Sequence, residues 1–440
     1  MPTCFDLRRF VPGAKRAALL AGLVATAGCN EFLVAENPSA IEADALTDIR
    51  YANLITNGVI GEFQSAFGYL AYWNGVFSDE LNNRAGFFEE PLIDLRDVTE
   101  TNGTFSFFMY GNIHRTRWLA DDGVSRLKTV LADSAGRDVR VARTLAYGGY
   151  AYLYLAEMMC NSPIDVSAPK TPDELTADAL TRFNEAVTVA TAAKAAAVPN
   201  SAIALAADSV RWFALVGAAR ASLYINNTAA AAGFAQTVVA EAPANWEFRV
   251  YYSANSAREN NWFWNRLTSS TSGSMVNTPF QNITGDPRLP RVTTVGARLH
   301  VPLSPIGFSS WNNTVAGAAF TTDGFQRIAS RLEAEYIVAE VAGPTAETGT
   351  FVNARRAVGL QAAVSLSGDS LMAELRDQRK RDLYLSNHRL GDLRRYKRFL
   401  NVDEFQTGPY PGSTSGQVYS TATCYPLPLA ELTGNPNAGR

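Results

Sequence analysis

The sequence predicts a mainly α-helical chain of paired helices carrying one irregular, loop-rich insert. Three observations predict it. Apolar residues recur at three- and four-residue spacing through several segments before residue 242 and again after 325. Alanine and glycine are dense in those segments, which lets neighbouring helices approach closely. Residues 243–324 are instead rich in Ser, Thr, Asn, Gly and Pro and keep no helical period.

Taken in order, 46–65 and 111–133 read as helices, the second with Trp118 on its apolar side. In 137–160, Val139, Ala142, Ala146, Tyr150 and Leu153 make one apolar face. Gly148 and Gly149 each cost that helix about 1 kcal/mol relative to alanine, so the segment is expected to pack against a close neighbour. Thr171-Pro172 supplies an N-cap and first turn for 172–198, and Pro199-Asn200 a stop. Residues 203–226 and 229–241 follow as a tight pair, with Ala218, Ala221, Ala230 and Ala231 at the contact. Residues 326–342 and 369–386 complete the helical set. Paired helices of this length are similar to tetratricopeptide-type units, although no clean 34-residue repeat is present. The expected division is a leader at 1–28, a helical region at 29–242, the insert at 243–324 and a helical region with a tail at 325–440.

With 47% hydrophobic residues among 440, the chain can bury a sizeable core, and disorder is excluded as the main state. Charged residues are only 18%, and the net charge of −3 argues against nucleic acid as a partner. Residues 1–28 read as an export signal: Arg8, Arg9, Lys15 and Arg16 precede the uncharged run Ala17–Gly28. That run is too short to span a bilayer, and no later apolar run of about 18 residues predicts a membrane helix. Thr26-Ala27-Gly28-Cys29 resembles a bacterial lipobox, with Thr26 where an aliphatic residue is usual. Cys29 is then the lipidated first residue of an exported, membrane-anchored chain with 35 basic and 41 acidic residues. Cys160 and Cys424 remain; they either pair or stay as two buried free thiols.

Catalytic chemistry finds little support. His114, His300 and His388 stand in separate contexts, and neither a His-Glu-x-x-His zinc pattern nor a Gly-x-Ser-x-Gly elbow occurs. Gly412–Gly416 centres on Thr414 and reads as a turn. The adjacent carboxylates Asp79-Glu80 and Asp121-Asp122 could serve glycoside hydrolysis only if they converged across a cleft; solvated faces or caps are the default. No catalytic set, metal site or cofactor is expected.

Binding is better supported. Sugar rings stack their C–H faces on indoles and phenols while amides and charged groups read the hydroxyls. Trp262-Phe263-Trp264, flanked by Asn260, Asn261, Asn265 and Arg266, has that composition, as do Trp73-Asn74 and Trp311-Asn312-Asn313. The competing reading is a half-buried strand at 262–264. Residues 376–398 carry nine Arg or Lys against three Asp. Arginines fastening the tail over the helices explain that run better than a nucleic-acid patch. Arg389 and Asp392 could pair if that turn is helical.

At the carboxy end the motifs become specific. Gln378-Arg379-Lys380-Arg381-Asp382-Leu383, then Arg389, Asp392-Leu393-Arg394-Arg395-Tyr396, resembles the signature of the RagB/SusD family. So do Tyr425-Pro426-Leu427-Pro428 with Glu431 and Asn435-Pro436-Asn437, and Arg331-Leu332-Glu333-Ala334-Glu335-Tyr336 with Ala339-Glu340. Arg143 with Ala146-Tyr147 and Tyr150, Pro163, and Asp286-Pro287-Arg288 fit in the same order. Ser386-Asn387 stands where the family usually has Glu-Gly. The resemblance implies a helical outer-membrane lipoprotein with four tetratricopeptide-like units, not an enzyme. It further implies delivery of oligosaccharides, or in some members peptides, to a SusC-like TonB-dependent barrel. A helical-repeat scaffold of envelope assembly and a glycoside hydrolase are the alternatives.

Overall fold

Helix after helix packs chiefly on its sequence neighbour, and the residues that permit this are the small ones. The computed structural model describes residues 45–85, 87, 89–270, 272–292, 301–303, 319–411 and 416–439. The leader, Cys29, His300, Trp311 and the 412–415 turn lie outside them. Ala45–Thr47 form a 3₁₀ turn in the amino-terminal unit Met1–Asp48; Ile49–Arg440 form a second unit, described from here on.

In that unit α1 (Ala52–Ser78) leads to a short α2 (Glu90–Asp94) and a π-helical turn, Thr104–Gly111, that runs into α3 (Asn112–Leu131). Then come α4 (Val139–Met158), α5 (Pro172–Ala196), α6 (Ala202–Tyr224) and α7 (Thr228–Glu241). After the insert stand α8 (Arg331–Ala342), α9 (Ala346–Val358), α10 (Gly368–Asp382), α11 (Arg389–Arg395) and α12 (Leu429–Gly434). The consecutive pairs α3–α4, α4–α5, α5–α6 and α6–α7 make the tetratricopeptide-like array.

Local sequence explains the boundaries. Asp138 caps α4 through Arg140 N–H at 2.9 Å, and Thr171 and Glu174 form a reciprocal capping box on α5. Gly149 and Gly217 face the same ring: a Cβ at either would lie 2.6 or 2.4 Å from Phe183. The two glycines thus weaken their helices and let α4, α5 and α6 close on one phenyl group. Around it, Tyr150 and Phe213 stack at 4.4 Å, Phe213 and Phe248 at 3.9 Å, and Phe63 meets Tyr147 edge-on at 4.7 Å.

Several expectations are corrected. The first helix continues to Ser78: the Gly68–Ser78 half is nearly all buried, and the helix hydrogen-bonds its backbone within the core. Residues 325–330 are a strand, pairing with Glu247–Tyr251, and the helix starts at Arg331 with Ser330 as its cap. Trp118 is 50% exposed; α3 buries Ile113, Ala120, Leu127 and Leu131 instead. Helix α6 is long and apolar enough by composition to cross a membrane, yet it is packed between neighbours, and its buried Arg220 is bidentate to Glu157 at 2.7 and 2.6 Å.

The carboxy-terminal motif is a lock. Arg389 does not pair with Asp392: it takes Asp79 with two bonds, 2.9 and 2.8 Å, and Glu404 at 3.0 Å. Asp392 accepts from Arg379 at 2.8 Å and Arg395 at 3.0 Å. Asp382 gathers Arg355, Arg288 and the Tyr336 hydroxyl. Arg331 pairs with Glu335 and donates to the Ala242 carbonyl. All nine basic residues of 376–398 are engaged by a carboxylate or, for Arg394, by the carbonyls of Ala156, Glu157 and Met159. Lys397 and Arg398 are the most exposed of the nine, each paired with an aspartate.

The tail threads back beneath this lock. Tyr425 is buried between Phe77 and Phe105, ring centroids 4.4 and 4.7 Å away, and exchanges backbone hydrogen bonds with Met158 and Cys160. Pro426 follows in the extended tail and Pro428 opens α12. Asn435 then holds the Ser167 carbonyl at 3.0 Å. Cys160 and Cys424 are joined by a disulfide, closing a loop over a sequence separation of 264.

Candidate functional site

The insert lies along α1 through close backbone approaches. A Cβ on Gly68 would stand 3.2 Å from the Trp262 Cβ and 3.1 Å from the Tyr252 hydroxyl, so glycine lets the 262–269 segment rest closely on the helix at that point. This segment is helical, with a π-turn over Trp264–Ser269, rather than a strand. Its period turns Phe263 into the core and leaves Trp262 half-buried.

Trp262 thereby meets Tyr69 of α1 at 4.5 Å and Phe108 of the π-helical turn at 6.0 Å. Between these elements opens a cleft of about 530 Å³ lined by Trp73, Phe87, Glu89, Glu90, Thr104, Phe108, Trp262 and Arg266. Trp73 and Arg266 form its deep end, at 1% and 6% exposure, while Phe87 stands at the rim, 70% exposed. Phe107, on the next turn position, is 73% exposed and edge-on to Phe108 at 5.2 Å. Bare phenyl groups in solvent beside the half-buried Trp262 indole are what a stacking ligand needs.

Arg266 organises the cleft. Its guanidinium lies 5.2, 5.0 and 5.8 Å from the rings of Tyr72, Trp73 and Trp262, and it makes a bidentate pair with Glu90 at 3.1 and 2.7 Å. Burial opposes the charge on Arg266, but Tyr72 and Glu90 outweigh it and raise its pKa; burial pushes Tyr72 up to about 12. The cleft therefore has aromatic faces, one fixed internal ion pair and the backbone-bound carboxylate of Glu89, which caps Thr104 N–H at 3.0 Å. It has no convergent pair of free carboxylates.

Trp73 and Trp262 are brought together here. Asn74 points into the interior and donates to Asn387 at 2.8 Å, and neither Trp264 nor Asn265, both half-buried, lines the cleft. Tyr69, Phe87, Phe107 and Phe108 were missed. Their signal is visible in Phe87-Phe88 and Phe107-Phe108, adjacent phenylalanines within polar, glycine-bearing sequence.

The adjacent carboxylates lie elsewhere. Asp79 and Glu80 are not solvated: at 3% and 2% exposure they hold Arg389 and the Leu385 N–H. Burial pushes Glu80 up to about 8. Asp121 pairs with Arg182, and Asp122 with Arg126. Burial lowers His114 to about 3 and His388 to about 4.

No family model matches the chain, and no curated protein matches it. Solved structures do. A SusD superfamily protein from Bacteroides fragilis aligns with TM-score 0.64 at 12% identity, covering 90% of this chain and 99% of the other. A SusD-like carbohydrate binding protein from Bacteroides vulgatus gives 0.62 at 13%, covering 89% and 97%. A laminarin binding SusD-like protein gives 0.62 at 14%, covering 89% and 98%. The chain has the SusD-like fold over nearly its whole length.

Proposed function

We propose that this chain is a glycan-binding SusD-like lipoprotein, lipidated at Cys29 and held at the outer membrane. It acts by reversible capture rather than reaction and passes oligosaccharide to a SusC-like TonB-dependent barrel. The observation that carries the reading is the solvent-facing aromatic cleft of Trp73, Trp262, Phe108 and Phe87 on a fold whose solved relatives include carbohydrate binders. Its mixed indole and phenyl faces suit the C–H faces of sugar rings.

A glycan microarray tests capture: the wild-type chain binds a defined glycan class, and Trp262→Ala loses most of that signal. Equal signal from both, or none from either, refutes the reading. Pull-down from detergent-solubilised outer membranes tests delivery; a TonB-dependent barrel in stoichiometric yield is the expected result, and its absence assigns the chain to another envelope role.

A further inference from the structure

Beside the aromatic cleft, past the Phe107–Phe108 wall, lies a second cavity of about 460 Å³. It is lined by Tyr69, Phe107, Phe108, Ser106, Asn112, Arg115 and Arg258, with no acidic side chain among its lining residues. Both arginines reach the same partner, Glu62: Arg115 Nε donates to one oxygen at 2.6 Å and Arg258 donates to the other. Glu62 is 5% exposed, so one buried carboxylate anchors two guanidiniums whose side chains are 53% and 62% exposed. Glu62 balances one of the two guanidinium charges, and Glu259, which lines the adjoining cavity with Arg258 and Glu62, accepts from the Ser256 hydroxyl.

Resting on the glycan-binding reading, we infer that this cavity is a second subsite that takes an anionic sugar, its ring against Phe107 and Tyr69 and its acidic group on Arg258 and Arg115. The chemistry shared by a uronic carboxylate and a sulfate ester is a multi-oxygen anion that matches the guanidinium fork. Tyr69 links the two cavities, since it contacts both Trp262 and Phe108. Adjacent residues of one chain could therefore span neutral and charged subsites.

Affinity gel electrophoresis of the full chain with polygalacturonate, dextran sulfate and neutral dextran tests this, using wild type, Arg258→Gln and Trp262→Ala. Arg258 is exposed and Glu62 keeps Arg115, so Arg258→Gln folds, which its unchanged melting temperature verifies. At least one acidic polymer is expected to bind about tenfold tighter than dextran and to lose about tenfold in Arg258→Gln, the size of one charged hydrogen-bonding group. Polygalacturonate alone assigns the carboxylate, and dextran sulfate alone the sulfate ester. Equal retention of the acidic polymer by Arg258→Gln means diffuse charge attraction and overturns the subsite. Neutral glycan bound through Trp262, with no gain from acidic groups, overturns this inference and leaves the capture reading standing. Failure of every glycan, here and on the microarray, overturns both.

Discussion

The carboxy-terminal lock and the aromatic cleft use the same two residue types, arginine and aromatic rings, to opposite ends. In the lock, Arg379, Arg389 and Arg395 are nearly fully buried, each with an oxygen partner within 3.0 Å, and Tyr336, Tyr396 and Tyr425 are at most 1% exposed. Its charges are matched within the chain. Around the cleft, Arg258 and Arg115 hold one shared carboxylate and face solvent, and Phe87 and Phe107 have most of their surface in water. The lock arginines are buried against their carboxylates, whereas Arg115 and Arg258 share one carboxylate and are more than half exposed.

Breaking the lock should give the largest effect. Arg389→Ala leaves the Asp79 carboxylate, whose side chain is 0% exposed, without its guanidinium, a loss of about 3–5 kcal/mol read by chemical denaturation. A loss under about 1 kcal/mol would mean that the lock is ornamental. Replacing both Cys160 and Cys424 by serine frees a loop closed over 264 residues and should cost about 2–4 kcal/mol in the same assay. Glycan affinity of the molecules still folded should be unchanged in that variant.

The buried carboxylate under the lock gives a pH-dependent effect. Burial raises folded Glu80 to about 8 against its ordinary 4.5, so folding takes up a proton between those values. Its contribution to stability is complete below about pH 4.5 and falls as pH rises towards about 8. Glu80→Gln carries no such charge. Its melting temperature relative to wild type should therefore climb from about pH 5 to about pH 8. A difference independent of pH would show that Glu80 is ionised in the fold.

Much of the helical array was legible from spacing and caps: Pro172–Ala196 and Thr228–Glu241 lie within two residues of where Thr171-Pro172 and the alanine pattern place them. The strand at Phe325–Ser330 was not, because its six residues are all buried and carry no alternation to distinguish them from a helix. Half of the cleft was legible as tryptophans near amides. The other half comes from Phe87 and the π-helical turn 104–111, which only the tertiary fold brings to the insert. Asn74 looked like a sugar-reading amide because it follows Trp73, but helical geometry sends adjacent side chains in different directions.

The most direct test pairs affinity with stability in Phe87→Ala and Phe107→Ala, the two phenylalanines in solvent around the cleft. Titration calorimetry with the glycan selected on the microarray should show a fall of about fivefold or more, since a stacked ring contributes about 1–3 kcal/mol, with stability within about 0.5 kcal/mol of wild type. Unchanged affinity in both variants would contradict the claim that this aromatic cleft is where the chain captures its ligand.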